Sequence, residues 1–382
     1  MRRLLFPILF LSVAAMLVGC SNDKFDTPTI PEDQRDLFPD LDNPEYVLIN
    51  PPLDAANGYD FSAPRDVYVG ADNLVYVCDT GNNRIVMMDV GGQIQGISGF
   101  IPNPVAVTQN DSLQLLVVNE SNTIFRIDLV AAGHNLAAAP IDTVFRQASE
   151  PTRQFTGISV HGGFDYYVTV VDVADSSTNF REFSFIYDFN PDHTLKGPLP
   201  LNVNGTGLYS AILPNAIVTL REAYLDQNPT LERSPAFLFA QKGRTSLIDN
   251  NFPVQITTTE IREGDQIVVP AIGYTGSDIY NRDLYFNPTD ITLDRSGFVF
   301  VVDEGHPGGV GDSTLLSPVF YRFSFTSGNV LQAFRGDGSN SDRVVFNRPG
   351  GIAALASEED QIVYIADTGN DRVLLFQLNS EL

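Results

Sequence analysis

Two aspartates in this chain occupy matching positions from which carboxylates could hold a hard cation or carry a proton. Asp66 and Asp290 each follow a proline by two residues, in Pro64-Arg65-Asp66 and Pro288-Thr289-Asp290, and each opens an apolar run. Carboxylates converging from separate strands suit calcium, an oxygen-seeking ion. Calcium is therefore the candidate cofactor; the plainer reading is that each aspartate caps a turn or meets solvent. A second cluster, Asp303-Glu304-Gly305-His306, sets an acid and a base at the start of a glycine-rich excursion that runs to Asp312. Recognition concentrates in loops of this kind, so Asp303, Glu304, His306 and Asp312 form a candidate binding loop, with a bland insertion as the alternative. The four histidines, His134, His161, His193 and His306, make no H-x-H or H-E-x-x-H arrangement, and their spacing describes no zinc site. The chain carries no nucleophile elbow, phosphate loop or dinucleotide fingerprint. No specific reaction follows from it.

Some scaffold must bring these residues together, and the sequence repeats itself in a way that names one. Val75 to Val86 reads V-Y-V-C-D-T-G-N-N-R-I-V, and Val363 to Leu374 reads V-Y-I-A-D-T-G-N-D-R-V-L. Each copy is an apolar strand, a tight polar turn and a second apolar strand, preceded by a proline-led strand. Weaker copies start at Pro104 and Pro288. The step from the proline to the strand-ending Asp or Asn is 15 positions from Pro64, Pro104 and Pro288, and 18 from Pro349, where Ser357 to Asp360 lengthens the turn. A short phrase recurring at both ends of a chain marks a closed or stacked repeat architecture. Short Val/Ile/Tyr/Phe runs separated by Gly, Asn and Asp are strands.

The pattern resembles the NHL repeat, whose units read roughly P-x-G-[IV]-A-V, a turn, then [IV]-Y-V-A-D-T-G-N-x-R-[IV]. The resemblance implies an all-β fold, a six-bladed β-propeller with four antiparallel strands per blade around a central channel. Repeat starts fall at Pro64, Pro104, about Phe155, near Leu208, Pro288 and Pro349. Candidate strands of the fourth repeat are Ala211-Ile212-Leu213 and Ala236 to Ala240. The last repeat lacks an outer strand, and a segment at about 45–50 is expected to complete it and close the ring. On this scaffold the D-T-G-N turns are structural: Asp79, Gly81, Asn82 and Arg84, and Asp367, Gly369, Asn370 and Arg372. The aspartates are expected to accept from the following backbone N–H groups, the glycines to take positive φ, and the arginines to fork onto a carboxylate or a neighbouring carbonyl. Asp66 and Asp290 fall on inner strands at the channel mouth, whereas Ala106 and Gly351 take that place in two other repeats, so no complete ring of ligands is visible. Insertions at Arg221 to Arg233 and Gly243 to Asn251 are further candidate binding rims, with a short helix around Leu220 to Leu225.

Residues 1–19 read as a lipoprotein signal peptide: Arg2 and Arg3, then an apolar stretch too short for a comfortable membrane span. It ends Leu17-Val18-Gly19-Cys20, which resembles the bacterial lipobox and implies lipidation of Cys20. Residues 20–44 then form a disordered tether, roughly 25–30 Å in reach, and residues 45–382 the propeller. A lipidated Cys20 leaves Cys78 without an intramolecular disulfide partner. Ser21 at the second mature position points to the outer membrane. The formal net charge is −24, two units more negative once Arg2 and Arg3 leave with the leader. Such a field repels phosphate backbones, so nucleic acid is not an expected partner. The expected role is a lipid-anchored envelope module or scaffold that binds a protein, peptide or glycan. A calcium- or zinc-dependent lyase or hydrolase at the channel mouth is the alternative, and a structural part of an envelope assembly a third reading.

Overall fold

The structure is a computed structural model that describes residues 45–49, 51–174, 183–200, 208–221, 234–243, 250–262, 265–306, 317–356 and 361–379. Cys20, the tether, Asp312, most of the excursion after His306, and the segment expected to be helical beyond Arg221 lie outside them. Among the described residues, twenty-four strands make six four-stranded antiparallel sheets arranged as the blades of a propeller. The first strand, β1 (Tyr46–Leu48), belongs to the last blade. Blade 1 holds β2 (Pro64–Val69), β3 (Val75–Asp79), β4 (Arg84–Met88) and β5 (Ile94–Ile97). Blade 2 holds β6 (Ala106–Gln109), β7 (Gln114–Val118), β8 (Thr123–Asp128) and β9 (Ile141–Arg146). Blade 3 holds β10 (Arg153–Val160), β11 (Tyr166–Asp172), β12 (Ser184–Phe189) and β13 (Leu195–Pro198). Blade 4 holds β14 (Pro214–Thr219), β15 (Phe237–Gln241), β16 (Val254–Arg262) and β17 (Asp265–Pro270). Blade 5 holds β18 (Pro288–Leu293), β19 (Phe298–Asp303), β20 (Val319–Ser324) and β21 (Val330–Arg335). Blade 6 holds β22 (Gly351–Ala356), β23 (Gln361–Asp367) and β24 (Arg372–Leu378), with β1 outermost.

The apolar runs follow from this stacking. A middle strand is covered on both faces by neighbouring blades, so it has no polar side, and β3, β15 and β23 are buried at every residue. Outer strands such as β5 and β21 are mostly exposed or half-buried. The core is therefore a set of apolar seams between blades. One of them joins Val67, Val75 and Val77 of blade 1 to Ala353, Tyr364 and Val373 of blade 6.

Ring closure lies in the register of β1 on β24, with Tyr46 opposite Leu378 and Leu48 opposite Phe376. Glu45 and Asn379 exchange hydrogen bonds just outside it, both at 2.9 Å. Tyr46 also fastens the strand inward, its ring edge-on to Phe320 at 5.2 Å within the seam between blades 5 and 6. The fourth blade begins later than the sequence implies: Ala211 to Leu213 is not a strand, and the inner strand starts at Pro214. Its leading proline is in the chain, but without the D-T-G-N phrase nothing flags it.

Candidate functional site

Each inner strand starts at one face of the ring and runs down the channel, and four of the six start with a β-bulge. The register shifts between Pro64 and Asp66, Phe155 and Gly157, Pro214 and Ala216, and Pro288 and Asp290. A bulge leaves one residue unpaired and re-aims its side chain. The residues so released are Arg65, Thr156, Asn215 and Thr289, and with Val105 and Gly350 of the other two blades they line a funnel of 620 Å³. Three of the released side chains turn to the next blade. Thr156 donates to the Pro214 carbonyl at 2.7 Å, Asn215 to that of Pro288 at 2.7 Å, and Thr289 to that of Pro349 at 2.8 Å. Elsewhere the same bond has other donors: Thr80 reaches the Pro104 carbonyl at 2.6 Å and Thr368 that of Pro64 at 2.7 Å. The Glu120 amide reaches the Phe155 carbonyl at 3.1 Å, which completes all six joints.

Because Thr368 and Thr80 hold their joints, Arg65 is free to cross the mouth and pair with Glu120 at 2.6 Å. Lys242 and Arg348 also line the funnel, and their side chains have neither ion pair nor hydrogen bond among the described residues. Glu304 lines it too and accepts from the Asn287 side-chain Nδ2. The side-chain carbonyl oxygens of Asn215 and Asn287 are buried and lack a partner. Unsatisfied acceptors of that kind cost stability and are uncommon unless they serve something. Sequence reading missed Arg65, Lys242, Arg348 and both asparagines. For Arg65 and Asn215 the signal lay in the position after the leading proline, whose residue type changes from blade to blade while its neighbours repeat.

Asp66 and Asp290 do meet the channel, one step below the mouth, around a space of only 60 Å³. Their oxygens are already engaged. Asp66 accepts from the Val107 amide of blade 2 at 2.8 Å, and Asp290 from the Ile352 amide of blade 6 at 2.8 Å and from its own neighbour Ile291 at 2.8 Å. Each therefore clamps the next blade's inner strand. Burial drives the acidity of both down, raising the Asp66 and Asp290 pKa values well above the ordinary carboxylate range, and the Asp66 charge adds to the rise at Asp290. The corresponding places in the other blades hold Ala106, Gly157, Ala216 and Gly351, and none offers a side-chain ligand. At Gly351 a Cβ would come within 2.6 Å of the Asp66 Cα, so glycine is required for blades 6 and 1 to approach. Cys78 sits opposite Asp66, fully buried, and burial together with the Asp66 charge pushes its thiol well up, away from nucleophilic thiolate.

At the far end of the channel Arg221, 1% exposed, reaches from blade 4 to the Gln109 carbonyl at 3.1 Å and to the Asp111 carboxylate, both of blade 2. The funnel at the mouth is a cup between the blade starts.

The turn residues differ from expectation in detail. Asp79 accepts not from the amides that follow it but from the preceding Ser62 amide at 2.8 Å, from the Asn82 side chain at 2.9 Å and from Arg84 Nε at 2.7 Å. Asp367 repeats this with the Asn347 amide at 2.7 Å, Asn370 at 2.8 Å and Arg372 at 2.8 Å. Positive φ falls on Asn83 and Asp371, at 57° and 52°, rather than on Gly81 and Gly369. Those glycines serve close approach instead, since a Cβ would lie 2.4 Å from Ser62 Oγ or 2.5 Å from the Asn347 side chain. Arg84 and Arg372 each extend a second nitrogen to the Asp60 or Val345 carbonyl. Asp303 is spent in the same manner, on the Phe286, Asn287 and Gly305 amides, and burial raises its pKa to about 6. Of the candidate loop, Glu304 reaches the funnel and His306 packs edge-on against Phe286 at 4.7 Å.

Comparison with known proteins agrees with the geometry. The NHL repeat matches residues 61–86. No curated protein matches the chain in sequence. Among solved structures, a luciferin-regenerating enzyme superposes with TM-score 0.55 at 10% identity, over 88% of this chain and 95% of its own. Regucalcin from Agrobacterium tumefaciens, described as a calcium-binding protein, gives 0.52 at 10% identity over 87% and 95%. A gluconolactonase from Xanthomonas campestris gives 0.51 at 13% identity over 87% and 97%. At such identities the likeness is one of fold. The chain is a six-bladed β-propeller that carries the NHL repeat.

Proposed function

We propose that this propeller is a binding module of the cell envelope, anchored by a lipid on Cys20, and that its ligand enters the cup at the channel mouth. The observation that carries the reading is the cup's lining. The Lys242 and Arg348 side chains, unpaired among the described residues, line a space that Asn215 and Asn287 also line. Cations there suit an acid group, and asparagine side chains suit hydroxyl groups. An acidic glycan offers both. The anchor rests on the lipobox-like Leu17-Val18-Gly19-Cys20 and on the Arg2-Arg3 start and apolar stretch before it.

Titration calorimetry with uronate-containing oligosaccharides tests this. Saturable binding that falls tenfold or more in Lys242→Ala/Arg348→Ala, and that neutral oligosaccharides of the same length do not reproduce, is the expected result. Binding unchanged in that variant, or absent across an acidic panel, would sink the proposal.

The alternative reading places calcium at Asp66 and Asp290 and a hydrolase reaction above it, as the names of two similar folds invite. The residues fit it poorly. Calcium takes about six to eight oxygens, whereas the ring offers two carboxylates with oxygens already committed to backbone amides. Elemental mass spectrometry of the purified chain decides the matter: stoichiometric calcium that is lost in Asp66→Ala/Asp290→Ala would reinstate the enzyme.

A further inference from the structure

Blade 3 carries a second polar cluster at the face opposite the cup. Thr156 on β10 lines the funnel, and His161 follows the strand's other end, roughly 16 Å away at about 3.3 Å per residue. There His161 meets Asp165, from the turn into β11, and Asp188, near the end of β12. One ligand atom from each lies within 4.8 Å of the others. His161 is 5% exposed, and its Nε2 is buried without a hydrogen-bond partner. Asp188 Oδ1 is likewise buried without a hydrogen bond, and stands 3.7 Å from that nitrogen. This gap is too long for a hydrogen bond. It is close to the spacing of neighbouring ligands around a tetrahedral ion, about 3.3–3.6 Å for bonds of about 2.0–2.2 Å. The imidazole is held in place by stacking on Tyr167, ring centroids 4.4 Å apart and planes 21° apart, and Tyr167 is itself tied to the Pro235 carbonyl at 2.9 Å. Support of that kind fixes a ligand's direction before an ion arrives.

We infer that His161, Asp165 and Asp188 form a site for a divalent transition-metal ion, zinc by its mixed nitrogen and oxygen donors, with the Lys196 ammonium standing in for the ion. Lys196 Nζ lies 2.7 Å from Asp165 Oδ2 and 3.2 Å from Asp188 Oδ1. Its side chain is 33% exposed, so it can swing to solvent without opening the fold. Two carboxylates, a neutral imidazole and an ammonium leave one negative charge uncompensated. Exchanging the ammonium for a dication makes the set neutral, keeps a cation beside Asp188 Oδ1 and gives the His161 Nε2 atom the partner it lacks. Water or a ligand group completes the coordination, as in zinc sites with three protein ligands. The site is remote from the cup and independent of Asp66 and Asp290.

Zinc titrated calorimetrically into the metal-stripped full chain tests the assignment. One ion per chain is expected, with affinity reduced at least tenfold in His161→Gln and in Asp188→Asn, and raised severalfold in Lys196→Ala. The gain in Lys196→Ala is a readout that a damaged fold cannot mimic. Asp66→Asn/Asp290→Asn should leave the zinc isotherm unchanged. No zinc bound by either wild type or Lys196→Ala overturns the inference, as does binding that survives His161→Gln or follows the channel pair.

Discussion

In blades 1 and 6 the bond to the next blade's leading carbonyl comes from a threonine of the D-T-G-N turn, Thr80 or Thr368. In blades 3, 4 and 5 it comes from the bulge residue on the inner strand, Thr156, Asn215 or Thr289. The joint is kept and its donor moves. Where the turn supplies it, the bulge position is relieved of structural duty, which is why blade 1 can place Arg65 across the mouth and blade 6 can use Gly350 there. Where the turn has lost its threonine, as at Asp303-Glu304, the turn residue itself becomes available and Glu304 enters the cup. Repetition thus marks what the ring needs, and departures from it mark what a ligand could meet.

That contrast can be broken first at the turn layer. Asp367 is fully buried and receives Arg372, Asn370 and the Asn347 amide. Asp367→Ala leaves an arginine and an amide without their acceptor, and a loss of about 3–5 kcal/mol in urea unfolding is expected. Arg348→Ala at the mouth should change stability by no more than about 0.5 kcal/mol. Equal effects would mean that the turn and the mouth are not distinct layers. The next largest effect is expected at the approach of blades 6 and 1. Gly351→Ala drives a Cβ against the Asp66 backbone and should cost about 1–3 kcal/mol, read as a lowered melting temperature; a neutral result would show that the blades can part without penalty.

The channel carboxylates sharpen the comparison by their pH response. Asp66 and Asp290 have pKa values raised in the folded state by burial, so between the ordinary carboxylate range and neutrality the folded chain binds more protons than the unfolded one. Stability from this source is complete at low pH and is lost as the pH rises toward 7. Urea midpoints measured from pH 4.5 to 7.5 should show that decline, on the order of 1–2 kcal/mol. Asp66→Asn/Asp290→Asn should flatten it. A slope unchanged in the double variant would assign the effect elsewhere, with Asp294 and Asp303, both raised to about 6, as the next groups to replace.

The fold was legible because a propeller states its period openly. The constant step from proline to turn aspartate reflects a fixed inner strand, hairpin and middle strand, and the missing outer strand of the last blade pointed to residues 45–50. Blade 4 was harder to place, since its insertions separate the strands and no D-T-G-N phrase marks the turn. The cup was not legible. A bulge residue has no required type, so Arg65, Thr156, Asn215 and Thr289 look like noise within the repeat. Asp66 and Asp290 were located correctly by symmetry, but the sequence could not show that their oxygens reach the Val107 and Ile352 amides of the next blades. The His161 cluster draws on β11 and β12 as well as its own turn, and the order of residues along the chain conceals it.

The closing strand has a consequence for how the molecule is made. Glu45 and Asn379 are partners separated by 334 positions. In an otherwise unstructured chain, bringing such ends together would cost about 5 kcal/mol of entropy. The blades formed in between shorten the gap, so β1 docks late although it is synthesised before every blade it helps to hold. Until Arg372 to Leu378 has emerged, the nascent ring is an arc with two raw edges, and β1 waits as an unpaired apolar strand. That interval is when the protein is most open to pairing with the wrong neighbour.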